Sequence, residues 1–378
     1  MNIPTRVPLY NTTSSINARN GQVYARSTHE QEDMNTMKKI CTAMFLLYLL
    51  QFLTGCEKTA IEKTLLFPAG EYLQVDYLSA SAPVTFTRDE DNILVLQPGE
   101  SAPILSVELK KLPKDLKCMN GIAYALHGLL PDGRMLFVES CEPSTHAAYE
   151  QDSFLIAYDP ISQKTEKLII EPLIHKWSGY FTWNPDRTVG LYQVGGSLVG
   201  ADIFWMTPEK TLPMNIEVGD GKYSWILSND YPQFSTEPGV AAYPAWSPDG
   251  ETIAFFASTD AKGKAGPVRS DSEFRLYFME PIEKKPETVL NGVYHPLNLV
   301  WSPDSQWLAF IGEYGTLRRY GIWLFSKEDR KARLLDVGDF RDIAWSPAGD
   351  RILVAFCVQE VSCPQEEIWE YDVSVLIK

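Results

Sequence analysis

Five short segments of this chain repeat one pattern, and that recurrence limits the fold more than any other feature. Ala245-Trp246-Ser247-Pro248-Asp249-Gly250 returns as Val300-Trp301-Ser302-Pro303-Asp304-Ser305 and as Ala344-Trp345-Ser346-Pro347-Ala348-Gly349. Weaker copies are Thr182-Trp183-Asn184-Pro185-Asp186 and Leu129-Leu130-Pro131-Asp132-Gly133. The prolines fall 54, 63, 55 and 44 residues apart, which is the length of a supersecondary unit with variable loops. Each copy reads as a tight turn: proline presets φ at the first central position, aspartate suits the second, and glycine accepts the positive φ that closes the hairpin.

Apolar runs flank the turns. Ile253-Ala254-Phe255-Phe256, Leu308-Ala309-Phe310-Ile311 and Ile352-Leu353-Val354-Ala355-Phe356 follow them directly. A third run comes after a loop, as in Phe154–Tyr158, Ile203–Met206, Leu276–Met279, Ile322–Phe325 and Ile368–Tyr371. Strands this continuously apolar are covered on both faces. Sheets stacked radially cover one another in that way and leave only short edges, so the expected fold is all-β, a β-propeller. The motif tryptophans are expected to pack between blades.

Here the chain resembles the WD40-like PD repeats of the TolB C-terminal propeller, over about residues 120–378. It departs from that pattern where Leu129 replaces the tryptophan, Ala348 the aspartate and Ser305 the glycine. The five turns imply five blades. Residues 72–109 supply a sixth that has lost the motif, with strands near Tyr72–Tyr77, Val84–Arg88, Ile93–Gln97 and Ile104–Leu109. Leu65-Leu66-Phe67 is then expected to pair with the last blade, beyond Tyr371, and close the ring. The expectation is six four-stranded blades over residues 63–378, with seven or an irregular five as alternatives.

Upstream lies an export signal. Met37-Lys38-Lys39 is a basic start, and the apolar run Ile40–Leu53 has 14 residues, too few for the roughly 20 that span a bilayer. Leu53-Thr54-Gly55-Cys56 resembles the lipobox of bacterial lipoproteins. The resemblance implies cleavage before Cys56 and acylation of its thiol, with more than one acyl chain needed for stable anchoring. Residues 37–55 are thus the expected signal peptide and 56–62 a tether. Residues 1–36 are a polar extension upstream of a start at Met37 or Met34. The resemblance places the protein in the cell envelope, outside the cytoplasm, held to the membrane by the lipidated cysteine alone.

Charge narrows the partners. The chain carries -15, and removing residues 1–55 leaves 29 basic against 46 acidic side chains, a net -17. A surface so acidic repels nucleic acid and anionic lipid alike. Lys262, Lys264 and Arg269 form a basic loop that suits an acidic partner or simply solvent. Beyond Cys41 and Cys56 there remain Cys118, Cys141, Cys357 and Cys363, which allow three pairings. The local ones are Cys118 with Cys141 and Cys357 with Cys363, and buried free thiols are the alternative.

Enzyme signatures are scarce. The chain has no Gly-x-Ser-x-Gly elbow, no His-Glu-x-x-His and no phosphate-cradling loop, and His127, His146, His175 and His295 lack ligand spacing. No cofactor or metal is expected. The long loops near 141–152, 195–201, 258–273, 313–320 and 357–366 emerge on one end of a propeller, where ligands bind. Three positions before each motif tryptophan stand Tyr180, Tyr243, Asn298 and Asp342, with His295 and Arg341 nearby. These six are the candidate ligand site at the channel mouth. The expected function is a monomeric module binding an envelope protein or peptide. The alternative is a lactonase- or hydrolase-like enzyme with a metal at the mouth. Mass spectrometry of the protein purified from membranes is expected to show a chain beginning at Cys56 and carrying lipid. A lipid-free form retaining Met37 would refute the tether.

Overall fold

The computed structural model describes residues 61–79, 82–112, 114, 122–130, 132–141, 153–168, 180–196, 200–206, 211–213, 217–218, 223–224, 240–258, 273–281, 286–358 and 363–377. All fall in the second of two compact units, Ile61–Lys378. The signal at 37–55, Cys56, Cys118, Pro131, His146, His175 and the basic loop lie outside the described residues. Among those residues the one helical turn is a 3-10 turn at Leu109–Lys111. Everything else regular is strand.

Six antiparallel four-stranded units follow one another along the chain. Blade 1 is Gln74–Ser79, Ala82–Asp89, Asn92–Leu96 and Leu105–Glu108. Blade 2 is Ile122–Leu129, Met135–Cys141, Ser153–Asp159 and Lys164–Lys167. Blade 3 is Phe181–Trp183, Gly190–Gly196, Gly200–Met206 and Thr211–Pro213, after which Glu217–Val218 and Tyr223–Ser224 form a small ribbon. Blade 4 begins with Val240–Trp246, Ile253–Ser258 and Phe274–Met279. Its fourth strand is the first half of Pro286–Trp301, whose second half opens blade 5. Blade 5 continues through Trp307–Tyr314, Arg319–Ser326 and Lys331–Val337.

Blade 6 closes the ring. Its inner strands are Phe340–Trp345, Arg351–Cys357 and Glu366–Asp372, and its outermost strand is Lys63–Gly70 from the other end of the fold. Lys63 pairs with Tyr371, Thr64 with Glu370 and Leu65 with Trp369. Lys63 Nζ also meets Asp336 Oδ2 of blade 5 at 2.8 Å, an oxygen that accepts from the Tyr371 hydroxyl at 2.7 Å.

Six apolar clusters, one between each neighbouring pair of blades, hold the ring. Val84, Phe86 and Ile93 meet Met135 and Phe137 between blades 1 and 2, and Leu136 and Leu155 meet Tyr192 between 2 and 3. Leu191 packs on Phe255 and Tyr277, then Phe256 and Phe278 on Trp301 and Phe310, then Ile311 and Leu324 on Phe340 and Ile352. Leu353, Ala355 and Ile368 of blade 6 meet Val75 and Tyr77 of blade 1. The motif tryptophans lie inside these seams: Trp301 Nε1 donates to Ala245 O at 3.0 Å, and Trp345 Nε1 to Val300 O at 3.3 Å, each reaching the preceding blade.

The recurring turn has a second mechanism that its spelling conceals. In Ser302-Pro303-Asp304, the buried Ser302 hydroxyl donates to Asp304 Oδ1 at 2.5 Å and accepts from Trp307 N at 2.9 Å. Ser247 and Asp249 repeat this, and Thr252 N takes the part of Trp307 N. Where Ala348 replaces the aspartate, Ser346 turns to Asp350 Oδ1 instead, at 2.9 Å. Ser305 in place of glycine holds φ at +61°, and its hydroxyl accepts from Asp249 N of the neighbouring blade at 3.0 Å. Gly250, at φ +80°, packs so near the preceding turn that an added Cβ would lie 3.2 Å from Pro185 Cδ. Ser302→Ala, which strands the buried Trp307 N–H, is expected to lower unfolding stability by about 1–3 kcal/mol in urea titrations. An unchanged midpoint would show that the turn does not depend on this hydroxyl.

Candidate functional site

The innermost strands of all six blades line one central cavity of about 830 Å³. Its wall includes Gln74 and Asp76 of blade 1, His127 of blade 2, Tyr180 and Thr182 at blade 3, Tyr243 of blade 4, Asn298 of blade 5, and Arg341, Asp342 and Glu366 of blade 6. The first residues of each innermost strand stand at the long-loop end, and the proline turns stand at the other.

Two local distortions aim side chains into this space. Tyr243 holds φ at +55°, which bulky residues rarely adopt, and Asn298 at +57°, which asparagine adopts more readily. Each sits in a register shift, between Ala242 and Ala245 or between Leu297 and Leu299. Bulges of this kind re-aim side chains beside binding sites. The Tyr180 and Tyr243 rings meet edge to face, centroids 4.5 Å apart. Burial pushes both hydroxyls above the ordinary tyrosine range. Tyr320, held near this pair and near Asp339, is pushed up to about 12, chiefly by burial.

Three innermost strands share one arrangement. Oδ1 of Asp76, Asn298 and Asp342 accepts the N–H of the following residue, at 2.7, 2.9 and 3.0 Å. The remaining atoms then reach across seams. Asp342 Oδ2 accepts from Val75 N of blade 1 at 2.9 Å, and Asp342 Oδ1 from Asn298 Nδ2 of blade 5 at 2.8 Å. Asp76 Oδ2 accepts from Leu129 N of blade 2 at 3.0 Å. Between blades 3 and 4, Thr182 Oγ1 accepts from Trp246 N and Gln193 Oε1 from Tyr243 N.

Both carboxylates retain partial exposure to the channel, yet protein surrounds them on every side. That desolvation raises Asp76 to about 6 and Asp342 to about 7, against the opposing pull of their backbone donors. The Asp76 charge adds to the rise at Asp342. Glu366 is raised too, by burial first and then by Asp339, while Arg341 pulls it down. Arg341 itself is bound to Asp339 Oδ2 at 2.9 Å.

Of the six residues proposed from sequence, the structure brings Tyr180, Tyr243, Asn298, Arg341 and Asp342 to one cavity. His295 is not in that lining: it is exposed on the stretch joining blades 4 and 5, at φ +48°. Asp76, Gln74, His127 and Glu366 were missed. Blade 1 lacks the tryptophan from which the others were counted, and the available signal was an Asx flanked by apolar residues, as in Val75-Asp76-Tyr77 and Leu297-Asn298-Leu299. Cys357 and Cys363 form a disulfide with Cα atoms 5.5 Å apart, closing the loop that leads to Glu366. Cys141 ends a blade 2 strand, and its side chain and Cys118 are outside the description. Among the described residues, no group of three or more His, Cys, Asp or Glu is placed to hold a metal ion.

The raised acids make stability depend on pH. Between about pH 4 and pH 7 the folded chain binds more protons at Asp76 and Asp342 than the unfolded chain does. This contribution is therefore largest below pH 4 and is lost as pH rises through the folded values. Urea unfolding across this window is expected to show stability falling with pH, and Asp342→Asn to flatten the fall. An identical slope in the variant would contradict the assignment.

No protein-family model matches the chain, and no curated protein matches it. Solved structures do. An oligogalacturonate lyase from Vibrio parahaemolyticus is 11% identical, with 85% of this chain and 96% of that one covered at a TM-score of 0.51. An oligogalacturonate lyase in complex with manganese is 12% identical, covering 84% and 94% at 0.49. TolB from Acinetobacter baumannii is 12% identical, covering 86% and 67% at 0.43. At such identities the likeness is one of architecture: this chain is a six-bladed β-propeller with a single strand from its amino-terminal side closing the ring.

Proposed function

We propose that the protein is a lipid-anchored, extracytoplasmic propeller that binds a protein or peptide partner at the long-loop end of its channel. The observation that carries this reading is that the channel carboxylates tie neighbouring blades together. Asp342 joins blades 5, 6 and 1, and Asp76 joins blades 1 and 2, so both serve to hold a preformed cavity in shape. A rigid mouth with tyrosines at its rim suits binding, because aromatic side chains contribute large contact area at low entropic cost. The acidic surface and the lipobox-like Leu53-Thr54-Gly55-Cys56 support an envelope setting.

The lyase chemistry of the similar structures transfers poorly. An oligogalacturonate is a polyanion, and it would enter a channel walled by Asp76, Asp342 and Glu366, where Arg341 is already paired with Asp339. A photocrosslinking residue at Arg341, on the mouth, is expected to give a discrete crosslinked species in native membranes. The same residue at Ile161, 94% exposed on a turn at the opposite end, is expected to give none. Equal yields from the two positions would remove the mouth as the binding surface.

A further inference from the structure

Asp76 and Asp342 differ from several other aspartates of the fold in what faces them. Asp132, Asp249 and Asp336 each meet a lysine or arginine, and their carboxyls are held below the ordinary range. Among the described residues, no lysine or arginine forms an ion pair with Asp76 or Asp342. Every donor described on them is neutral: Tyr77 N and Leu129 N on Asp76, and Ile343 N, Asn298 Nδ2 and Val75 N on Asp342. Two carboxylates without a counter-charge thus face an 830 Å³ cavity, where a charge taken from water is costly unless paired.

The acceptor count narrows the guest. A carboxylate oxygen accepts two hydrogen bonds. Asp342 Oδ1 is filled, Asp342 Oδ2 has one position open, and each Asp76 oxygen has one open. Three open positions match the three donors of a primary ammonium. A guanidinium fork prefers both oxygens of one carboxylate, which Asp76 offers but Asp342, with one oxygen saturated, does not, so a fork on Asp76 would leave Asp342 without a counter-charge. The Tyr180 and Tyr243 rings line the same cavity, where aromatic faces attract an alkylammonium and cover its apolar stem.

We propose that the channel receives a primary alkylammonium group between Asp76 and Asp342, in the cavity that Tyr180 and Tyr243 also line. Its source is a lysine or amino terminus of the bound partner, or a free polyamine. This inference names the chemistry recognised by the binding site described above and rests on that reading.

Calorimetry of the full chain in detergent tests it with three probes: the peptide acetyl-Gly-Ser-Lys-Ser-Gly-amide, its Nε-acetyl-lysine counterpart, and spermidine. The lysine peptide is expected to bind at least about tenfold more tightly than the acetylated one, a difference of about 1.4 kcal/mol. Asp76→Asn is expected to erase the preference. Spermidine binding more tightly than the peptide would assign the site to a free polyamine, and the reverse order to a partner lysine. Equal affinity of the two peptides, or no binding of any probe by the folded chain, overturns the inference. The wild-type comparison decides the matter even where a variant fails to fold. The crosslinking contrast at Arg341 and Ile161 is independent of these probes, so the binding reading stands or falls separately.

Discussion

Each blade of this protein is a sheet with two apolar faces, and neither face can be left to water. That single constraint dictates the ring. Burying an apolar side chain contributes about 1.5–3 kcal/mol, and the faces carry residues such as Phe86, Phe137, Phe255, Phe256, Phe310 and Phe325 at under 2% exposure. A linear stack would leave two faces bare at its ends. Closing it through Leu353, Ala355 and Ile368 against Val75 and Tyr77 leaves none. The turns follow from the same demand, since adjacent hairpins must nest, and Gly250 against Pro185 shows how little space remains.

The axis of such a ring is where its innermost strands run out of neighbours. Apolar packing holds the blades at mid-radius, but near the channel the contacts are polar, and Asp76, Asn298 and Asp342 perform the joining. They use atoms that the propeller cannot satisfy with its own ladders, because the strands they bridge belong to different sheets. The arrangement places carboxylates in a confined space at a cost in desolvation, and that cost is why their proton affinity sits near neutrality. On the binding reading proposed above, structure and recognition draw on the same side chains.

Much of the architecture was legible because turn chemistry and apolar runs repeat. Pro248, Pro303 and Pro347 mark hairpins whose strands begin at Ile253, Trp307 and Arg351, and Leu65-Leu66-Phe67 falls within the strand that pairs with the last blade. Less legible was the sharing of strands: Pro286–Trp301 serves two blades without a break, because Gly292 at φ +74° bends it and no turn motif interrupts it. The site was half readable. Counting back from tryptophan found Asp342 and Asn298, but Asp76 occupies a blade with no tryptophan to count from. His295 lies near Asn298 in sequence, yet the bulge that turns Asn298 inward leaves His295 outside. Both residues hold positive φ, so which of them faces the channel depends on its place in the shifted register, which residue type alone does not encode.

The closing strand ties the beginning of the fold to its end, and this orders events in time. A chain emerging residue by residue presents Lys63–Gly70 long before its partner Glu366–Asp372 exists. Until then five sheets can associate, but the last seam stays open, with Phe67, Val75 and Tyr77 uncovered on one side. Completion is thus a single late event in which backbone pairing and apolar burial occur together. It sets the whole disc at once, channel included, since the Asp342 to Val75 bond spans that same seam.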